Sequence, residues 1–226
     1  SDPYFVLADA DIDKAVKICV TGRIANTGQV CVGAKRFFVE APIFEEFKTK
    51  FVAAMQAVTY GDPLDPANDM GPLSSEKLRK SIHKQVQYSV AAGATLLCGG
   101  EIPEGQGNFY PATVLTDIPE GCPAYDEEIF GPVAALFKFE QLEDALKIAN
   151  GHMYGLGGGV ISGNTERAIE IAKDHIDSGI LQINRFSGAL PEVPFGGVRA
   201  SGYGREHGGF GLREFMNIKG IVVDDL

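Results

Sequence analysis

The sequence is poor in cysteine and histidine, with four of each among its 226 residues. No two cysteines form a CxxC pair, and the histidines are scattered. These spacings provide no ligand set for a zinc site, so we predict that no metal is bound. So few cysteines also favour a reducing compartment, and we predict a cytoplasmic protein.

Positive charge is also scarce, since 20 Lys and Arg residues face 30 Asp and Glu residues, for a net charge of −10. A surface of this sign repels nucleic acids and anionic membranes, so we predict that neither is a partner. No apolar run reaches the roughly 20 residues that cross a bilayer, and we expect no signal peptide. The chain starts at Ser1 and enters a helical pattern almost at once, so we expect it to be a piece of a longer protein.

Glycine is abundant, with 28 residues, and helical and strand patterns alternate along the chain. Apolar residues recur at helical spacing in residues 11–25, 44–58 and 78–90, and again after 142 and 164. Between them lie strand-like runs at 35–40, 95–98, 110–115, 133–139, 157–162 and 180–183. This alternation predicts an α/β fold with an open, mostly parallel twisted sheet and helices on both faces.

Some boundaries can be predicted from single residues. Ser74 or Ser75 caps the third helix, which stops at Gly93, and Asn164 caps a later one. Near the carboxyl end we predict a short helix over residues 209–216 and an isolated apolar strand from Ile218 to Val223. Such a strand exposes an unpaired edge unless another chain pairs with it.

Cys31 lies in a loop of small residues between a predicted helix and a predicted strand. A cysteine at such a junction can be presented to a substrate, and its thiolate is a nucleophile. Gly28 and Gly33 leave room for a carbonyl group and for backbone N–H donors to an oxyanion. No histidine nearby in sequence serves as its base, so a buried, inert cysteine is the alternative. Cys19 and Cys98 follow apolar patterns and are predicted to lie in the core, while Cys122 has no evident role.

Other charged or glycine-rich stretches have two interpretations. Glu127 and Glu128 could do acid–base chemistry, but solvated charge at a strand entrance is the usual explanation for such a pair. The pair Arg205 and Glu206 fits an ordinary surface ion pair. The glycines at 157–159 do not form GxGxxG before a helix, so they do not predict a dinucleotide site.

Three motifs carry a resemblance to a known family. Residues 26–31, NTGQVC, with Arg36 five positions beyond the cysteine, resemble the active-site cysteine signature of the NAD(P)-dependent aldehyde dehydrogenases. Residues 127–133, EEIFGPV, and residues 194–206, PFGGVRASGYGRE, are similar to two further signatures of that family, in the family's order. The resemblance runs from end to end and favours the nucleophile interpretation of Cys31.

The resemblance implies roles for individual residues. Cys31 would attack an aldehyde to form a thiohemiacetal, with its own N–H in the oxyanion hole. A hydride would pass to the nicotinamide of NAD or NADP, and water would hydrolyse the remaining thioester. Glu128 would hold the nicotinamide ribose, Phe130 would pack near the ring, and Phe195 would line the substrate funnel. Arg199 stands where the family usually has Lys.

The resemblance also implies what this chain does not carry. The Glu that activates water, an oxyanion-hole Asn and the Rossmann-like cofactor domain would lie before Ser1. Residues 1–216 would form the catalytic domain, and residues 217–226 a strand of an oligomerisation sheet, as in a homodimer or homotetramer. We therefore expect the chain alone to produce no reduced cofactor from aldehydes.

The substrate is predicted from residues 30–37 and 190–195, which look similar to bacterial succinate-semialdehyde dehydrogenases. The distal carboxylate of such a substrate requires a cation. Some members have Arg before the Asn of the cysteine motif, where this chain has Ala25, so Arg185 is the candidate here. A solvated loop arginine is the alternative. Two rival functions are a cofactor-independent cysteine esterase or hydrolase and an inactive assembly fragment.

Overall fold

The computed structural model describes residues 1–224. Its strands, numbered in chain order, are β1 Asp2–Val6, β2 Ala34–Glu40, β3 Thr95–Cys98, β4 Thr113–Thr116, β5 Val133–Phe139, β6 Tyr154–Gly155, β7 Gly159–Ile161, β8 Gln182–Ile183 and β9 Val198–Arg199. Its helices are α1 Ile12–Ile24, α2 Ala41–Gln56, α3 Glu76–Ala91, α4 Pro123–Asp126, α5 Leu142–Asn150, α6 Thr165–His175 and α7 Gly211–Glu214. A short 3-10 turn, Ala25–Gly28, follows α1.

Seven strands form one sheet in the order β3-β4-β5-β2-β1-β7-β8. Every neighbouring pair is parallel except the edge pair of β3 and β4. The strands β6 and β9 form a separate antiparallel pair. The prediction of an open, mostly parallel sheet is confirmed.

Helices cover both faces of this sheet, as predicted. On one face α1 and α2 bury Cys19, Phe47 and Phe51 against inward-facing residues of β1 and β2. On the other face α5 and α6 bury Leu146 and Ile171. A third cluster lies beneath α3. Because both faces are covered, consecutive side chains of the central strands are buried, and most of them are apolar.

Side chains at three helix starts make capping bonds, two of which were predicted. Asp11 accepts from the Lys14 N–H, Ser75 accepts from the Leu78 N–H, and Asn164 accepts from the Arg167 N–H. Each bond satisfies a backbone donor that the first helical turn leaves free. The predicted caps at Ser75 and Asn164 are therefore confirmed.

Several predicted boundaries are wrong. The strand β1 was not predicted, although Tyr4, Phe5 and Val6 are fully buried in it. Three strands are shorter or shifted relative to the predictions at 110–115, 157–162 and 180–183, and are β4, β7 and β8. The predicted helix over 209–216 shrinks to α7, because Gly208 and Gly209 adopt positive φ values of 54° and 79°, which are not helical.

The segment after α7 forms no strand within residues 217–224, so the strand predicted from Ile218 to Val223 is not present in this chain by itself. Its apolar side chains, among them Ile218 and Val222, are exposed. Strands need a neighbour for their backbone hydrogen bonds, and none of the described residues supplies one. Residues 225 and 226 of the predicted oligomerisation strand lie outside the described residues. No helix in residues 1–224 is both long and apolar enough to span a bilayer.

Candidate active site

Two of the predicted site residues, Cys31 and Glu128, lie at the amino-terminal edge of the sheet. Cys31 precedes β2, Glu128 precedes β5, and Ser1 precedes β1. Because these three strands are neighbours and parallel, the segments that lead into them meet at the same edge. There they line a cavity of about 180 Å³. Its walls are formed by Ser1, Cys31, Glu128, Tyr154, Leu156 and Ser201.

The backbone before Cys31 is irregular but firmly held. Asn26, Thr27 and Gly28 all have left-handed φ values of 49°, 57° and 74°. The Thr27 hydroxyl donates to the carbonyl of Gly71, and Gln29 accepts from the Ser74 N–H at 2.8 Å. The chain turns sharply out of α1 here, and side-chain bonds to the segment before α3 fix the turn.

Gly28 brings the cysteine loop against the turn that follows Glu128. A Cβ atom at Gly28 would collide with the carbonyl group of Gly131. Its positive φ also favours glycine. Two of the three motifs singled out in the sequence are therefore in direct backbone contact.

The side chain of Cys31 is exposed, whereas Cys19, Cys98 and Cys122 are buried. Burial raises the pKa of the thiols of Cys19 and Cys98 above the usual range. Within residues 1–224 the N–H of Cys31 donates no hydrogen bond. Cys31 therefore places the one exposed thiol among the four cysteines at the cavity.

Lys35 is the most highly connected charged residue of the site. Its side chain is 3% exposed, and its Nζ lies 2.9 Å from Glu128 Oε1. The same ammonium donates to the carbonyl oxygens of Val30, Cys31 and Gly33 at 3.0, 2.9 and 3.1 Å. Burial, together with the nearby Arg23, lowers the pKa of Lys35, while Asp2 and Glu128 oppose that shift.

Two buried arginines hold the surrounding backbone. Arg23 donates to the carbonyls of Gly28 and Val133 at 3.0 and 3.3 Å. Arg36 donates to the carbonyl of Ser1 through two nitrogens, at 3.1 and 2.9 Å. Burial lowers the pKa of each guanidinium to about 10. Both remain charged at neutral pH and anchor the segments that enter β1, β2 and β5.

The two adjacent glutamates separate in the fold. Glu128 reaches Lys35 and stays 27% exposed at the cavity. Glu127 instead accepts from the side-chain amide of Gln85 on α3. Phe130 is half-buried, with its ring centroid 6.0 Å from the Lys35 ammonium. Cys31, Glu128 and Phe130 are therefore brought together around one lysine.

Phe195 and Arg185 do not line this cavity. Phe195 is half-buried, and its backbone pairs with that of Glu206 at 2.8 and 2.6 Å. Arg185 follows β8 and is exposed, and within residues 1–224 its guanidinium makes no hydrogen bond or ion pair. Arg199 pairs with Asp177 and donates to the Tyr154 carbonyl at 2.7 Å, so it braces a wall of the cavity.

The sequence reasoning missed Lys35, Tyr154, Leu156 and Ser201. A signal for Lys35 was available, because lysine is rarely fully buried unless it is paired. Lys35 stands inside a run predicted as a strand, so a partner of opposite charge should have been sought. The other three residues carry no such signal, since they come from segments distant in sequence.

Comparison with known proteins matches the model of the aldehyde dehydrogenase family to residues 1–221. A succinate-semialdehyde dehydrogenase [NADP(+)] from Mycobacterium avium is 47% identical over 223 residues, which cover 99% of this chain and 47% of that protein. The solved structure of Gox0499, described in terms of cofactor and substrate selection, has a TM-score of 0.94 at 40% identity, covering 99% of this chain and 49% of the other.

A Staphylococcus aureus betaine aldehyde dehydrogenase in complex with NAD+ has a TM-score of 0.90 at 32% identity. The match covers 95% of this chain and 43% of that one. The chain spans about half the length of the curated relatives it matches. The sequence motifs, the fold and these matches agree over nearly the whole chain, which belongs to the aldehyde dehydrogenase family.

Proposed function

We propose that this chain is the cysteine-bearing half of an enzyme that oxidises an aldehyde to a carboxylic acid with NAD or NADP. One observation carries the proposal. The exposed thiol of Cys31 and the carboxylate of Glu128 share a single cavity at the edge of the sheet. Residues 1–216 then form a catalytic domain, in line with the family match over residues 1–221.

The chemistry on the protein side follows from Cys31. Its thiolate attacks the carbonyl carbon of the aldehyde, and the carbonyl oxygen becomes an oxyanion. The N–H of Cys31 makes no other hydrogen bond in residues 1–224 and is available to stabilise that oxygen. When bound, the nicotinamide supplies the acceptor for the hydride that leaves this carbon. Water then hydrolyses the thioester on Cys31, which releases the acid and regenerates the thiol.

The residues present fit a nicotinamide cofactor. Glu128 offers a partly exposed carboxylate that can accept hydrogen bonds from ribose hydroxyls. Phe130 offers a half-buried aromatic face next to the same carboxylate. The Mycobacterium avium relative is named for NADP(+), and the Staphylococcus aureus structure contains NAD+, so we infer NAD or NADP here.

The test uses the protein at its natural length, with NAD+ and NADP+ and a panel of aldehydes. We expect the reduced cofactor to form only when an aldehyde is present. Cys31→Ser should lower kcat about a thousandfold or more, because it removes the nucleophile. Cys122→Ser is the matched control and should retain activity. Turnover by Cys31→Ser at the wild-type rate, or no turnover by wild type with any aldehyde, would overturn the proposal.

For the substrate we propose succinate semialdehyde, after the names of the curated relatives. Its distal carboxylate needs a cation, and Arg185 has an exposed guanidinium free of partners in residues 1–224. Arg185→Ala should raise KM about tenfold for succinate semialdehyde and little for an uncharged aldehyde of similar length. Arg167→Ala, on the exposed face of α6, is the control. Equal changes for both aldehydes would remove Arg185 from the substrate site.

A homo-oligomer and a cytoplasmic location complete the proposal. The apolar residues after α7 are exposed and suit a strand that pairs with a second subunit. The four cysteines of the chain are all free, which agrees with a reducing compartment. We favour the dehydrogenase over a cofactor-independent hydrolase because the residues lining the cavity include no histidine that could serve as a base.

A further inference from the structure

Among the side chains of residues 1–224, Lys35 alone hydrogen-bonds both to the Cys31 loop and to Glu128. Its ammonium has four oxygen acceptors within 3.1 Å: three loop carbonyls, including that of Cys31, and the carboxylate of Glu128. It also lies 6.0 Å from the centre of the Phe130 ring, at the outer range of a cation–π contact. The nucleophile loop and the carboxylate that faces the cavity therefore converge on a single cation.

The other two buried cations are placed differently. Arg23 supports Gly28 and the start of β5, and Arg36 supports Ser1 and the end of α5. Neither donates to Cys31 or to Glu128. Of these three buried cations, only Lys35 therefore contacts both Cys31 and Glu128.

We propose that Lys35 is a positioning residue that locks the Cys31 loop to Glu128, so that the thiol and the cofactor-facing carboxylate are held at a fixed separation. The cofactor part of this assignment rests on the proposed function. The lock itself rests only on the contacts of Lys35.

Removal of the ammonium has a predictable electrostatic result. Three carbonyls would lose their donor, and the carboxylate of Glu128 would lose its ion-pair partner beside Cys31. An unbalanced anion disfavours a second negative charge nearby. Alkylation of a cysteine proceeds through its thiolate, so the reaction at Cys31 should become slower.

The experiment measures the rate of alkylation of Cys31 by iodoacetamide in the protein at its natural length, followed by mass spectrometry of the peptide that carries it. Lys35→Met, of similar length but without charge, should lower the rate about fivefold or more at neutral pH. Lys35→Arg keeps the charge and should recover at least half of the loss. Lys50→Met is the matched control, because Lys50 of α2 pairs with Asp13 of α1 and with Glu46, away from the cavity.

The same measurement on Glu128 variants separates positioning from a purely structural role. Glu128→Gln in the wild-type background should raise the rate no more than about twofold, because Lys35 already balances the carboxylate. In the Lys35→Met background the same change should raise it about threefold or more, since the carboxylate is then unpaired. Loss of packing alone would give equal ratios in the two backgrounds, which would overturn the proposal.

Buried cysteines report whether each variant is folded. Cys19, Cys98 and Cys122 should stay unmodified in a folded protein. A wild-type alkylation rate in a folded Lys35→Met variant would overturn the lock. If Lys35→Met exposes the three buried thiols, the comparison of Lys35→Arg with wild type decides instead: alkylation of Cys31 within twofold of wild type supports the lock, and a fivefold fall in a folded Lys35→Arg variant overturns it.

The kinetics of aldehyde oxidation provide an independent test of the lock. If the protein is a dehydrogenase, Lys35→Met should raise the KM for the cofactor about fivefold, because Glu128 loses its fixed position, and Lys35→Arg should raise it less. If wild type has no dehydrogenase activity but Lys35→Met still slows alkylation, the proposed function fails and the lock stands. If wild type is active and Lys35→Met is alkylated at the wild-type rate, the lock fails and the proposed function stands.

Discussion

The Cys31 loop and the segment after α7 are both irregular in backbone, yet they are held in opposite ways. In the loop, the buried side chains of Arg23 and Lys35 hydrogen-bond to four carbonyls within residues 28–33. In residues 217–224 no strand or helix forms, and Ile218 is 97% exposed. Buried polar partners can therefore fix a chain segment without regular secondary structure, while an apolar sequence without a covering surface stays unsupported.

Replacing one glycine by alanine in each region should give the largest difference in the free energy of unfolding. Gly28→Ala should lower the free energy of unfolding by about 3 kcal/mol, because the new Cβ meets the Gly131 carbonyl and the φ of Gly28 is positive. Gly220→Ala should change it by less than about 0.5 kcal/mol, since nothing lies near that position. Chemical denaturation of both variants measures the difference. Equal effects would show that the loop is no more tightly packed than the tail.

Lowering the pH should reduce the free energy of unfolding by a smaller amount, through His152 next to the cavity. His152 is buried behind Tyr154, accepts from the Tyr154 N–H at Nδ1, and has no partner at Nε2 within residues 1–224. Burial, and then the nearby Arg36, lower the pKa of His152 to about 3. The unfolded ring takes up a proton near pH 6.5, so the stability contributed by the neutral ring is complete above that pH and is lost as the pH falls towards 3.

Between pH 6.5 and pH 4.5 this linkage should cost about 2 kcal/mol of unfolding free energy. His152→Gln removes the titrating ring and should flatten the pH dependence in that window. Denaturation curves of both proteins across the window measure the effect. If the unfolding free energies of both proteins changed equally with pH, His152 would already be protonated in the folded state at mildly acidic pH.

The smallest expected effect lies in the tail. Val222→Asp should change the unfolding free energy of dilute protein by less than about 0.5 kcal/mol, because Val222 is exposed. If the tail pairs with a second subunit, the same change should shift the protein towards monomer, as measured by light scattering at higher concentration. An unchanged oligomeric mass would remove this segment from the interface.

Elements set by local contacts were predictable from the sequence. Ser75 and Asn164 bond to backbone groups three residues away, so the residue type alone marks the helix start. Cys31 was singled out because its motif is continuous. Its side chain is exposed, and its role as the nucleophile stays a prediction. The alternation of helices and strands was enough to predict a parallel sheet.

Elements set by distant contacts were not predictable in this way. Tyr4, Phe5 and Val6 form a strand buried on both faces, so β1 shows no alternation of polar and apolar residues. Lys35 pairs with Glu128, and the two residues meet only because β2 and β5 are neighbouring strands. Both depend on the order of strands in the sheet, which no short segment encodes.

The contact between Gly28 and Gly131 has a consequence for protein engineering. The two loops touch through backbone atoms, so no side chain at the contact can change its rotamer to relieve a clash. The backbone shapes of both loops must therefore match each other. A chimera that takes the cysteine loop from one relative and the turn after Glu128 from another would join surfaces that were never fitted to each other. Grafting this nucleophile into a new scaffold therefore requires both segments to be moved as one piece.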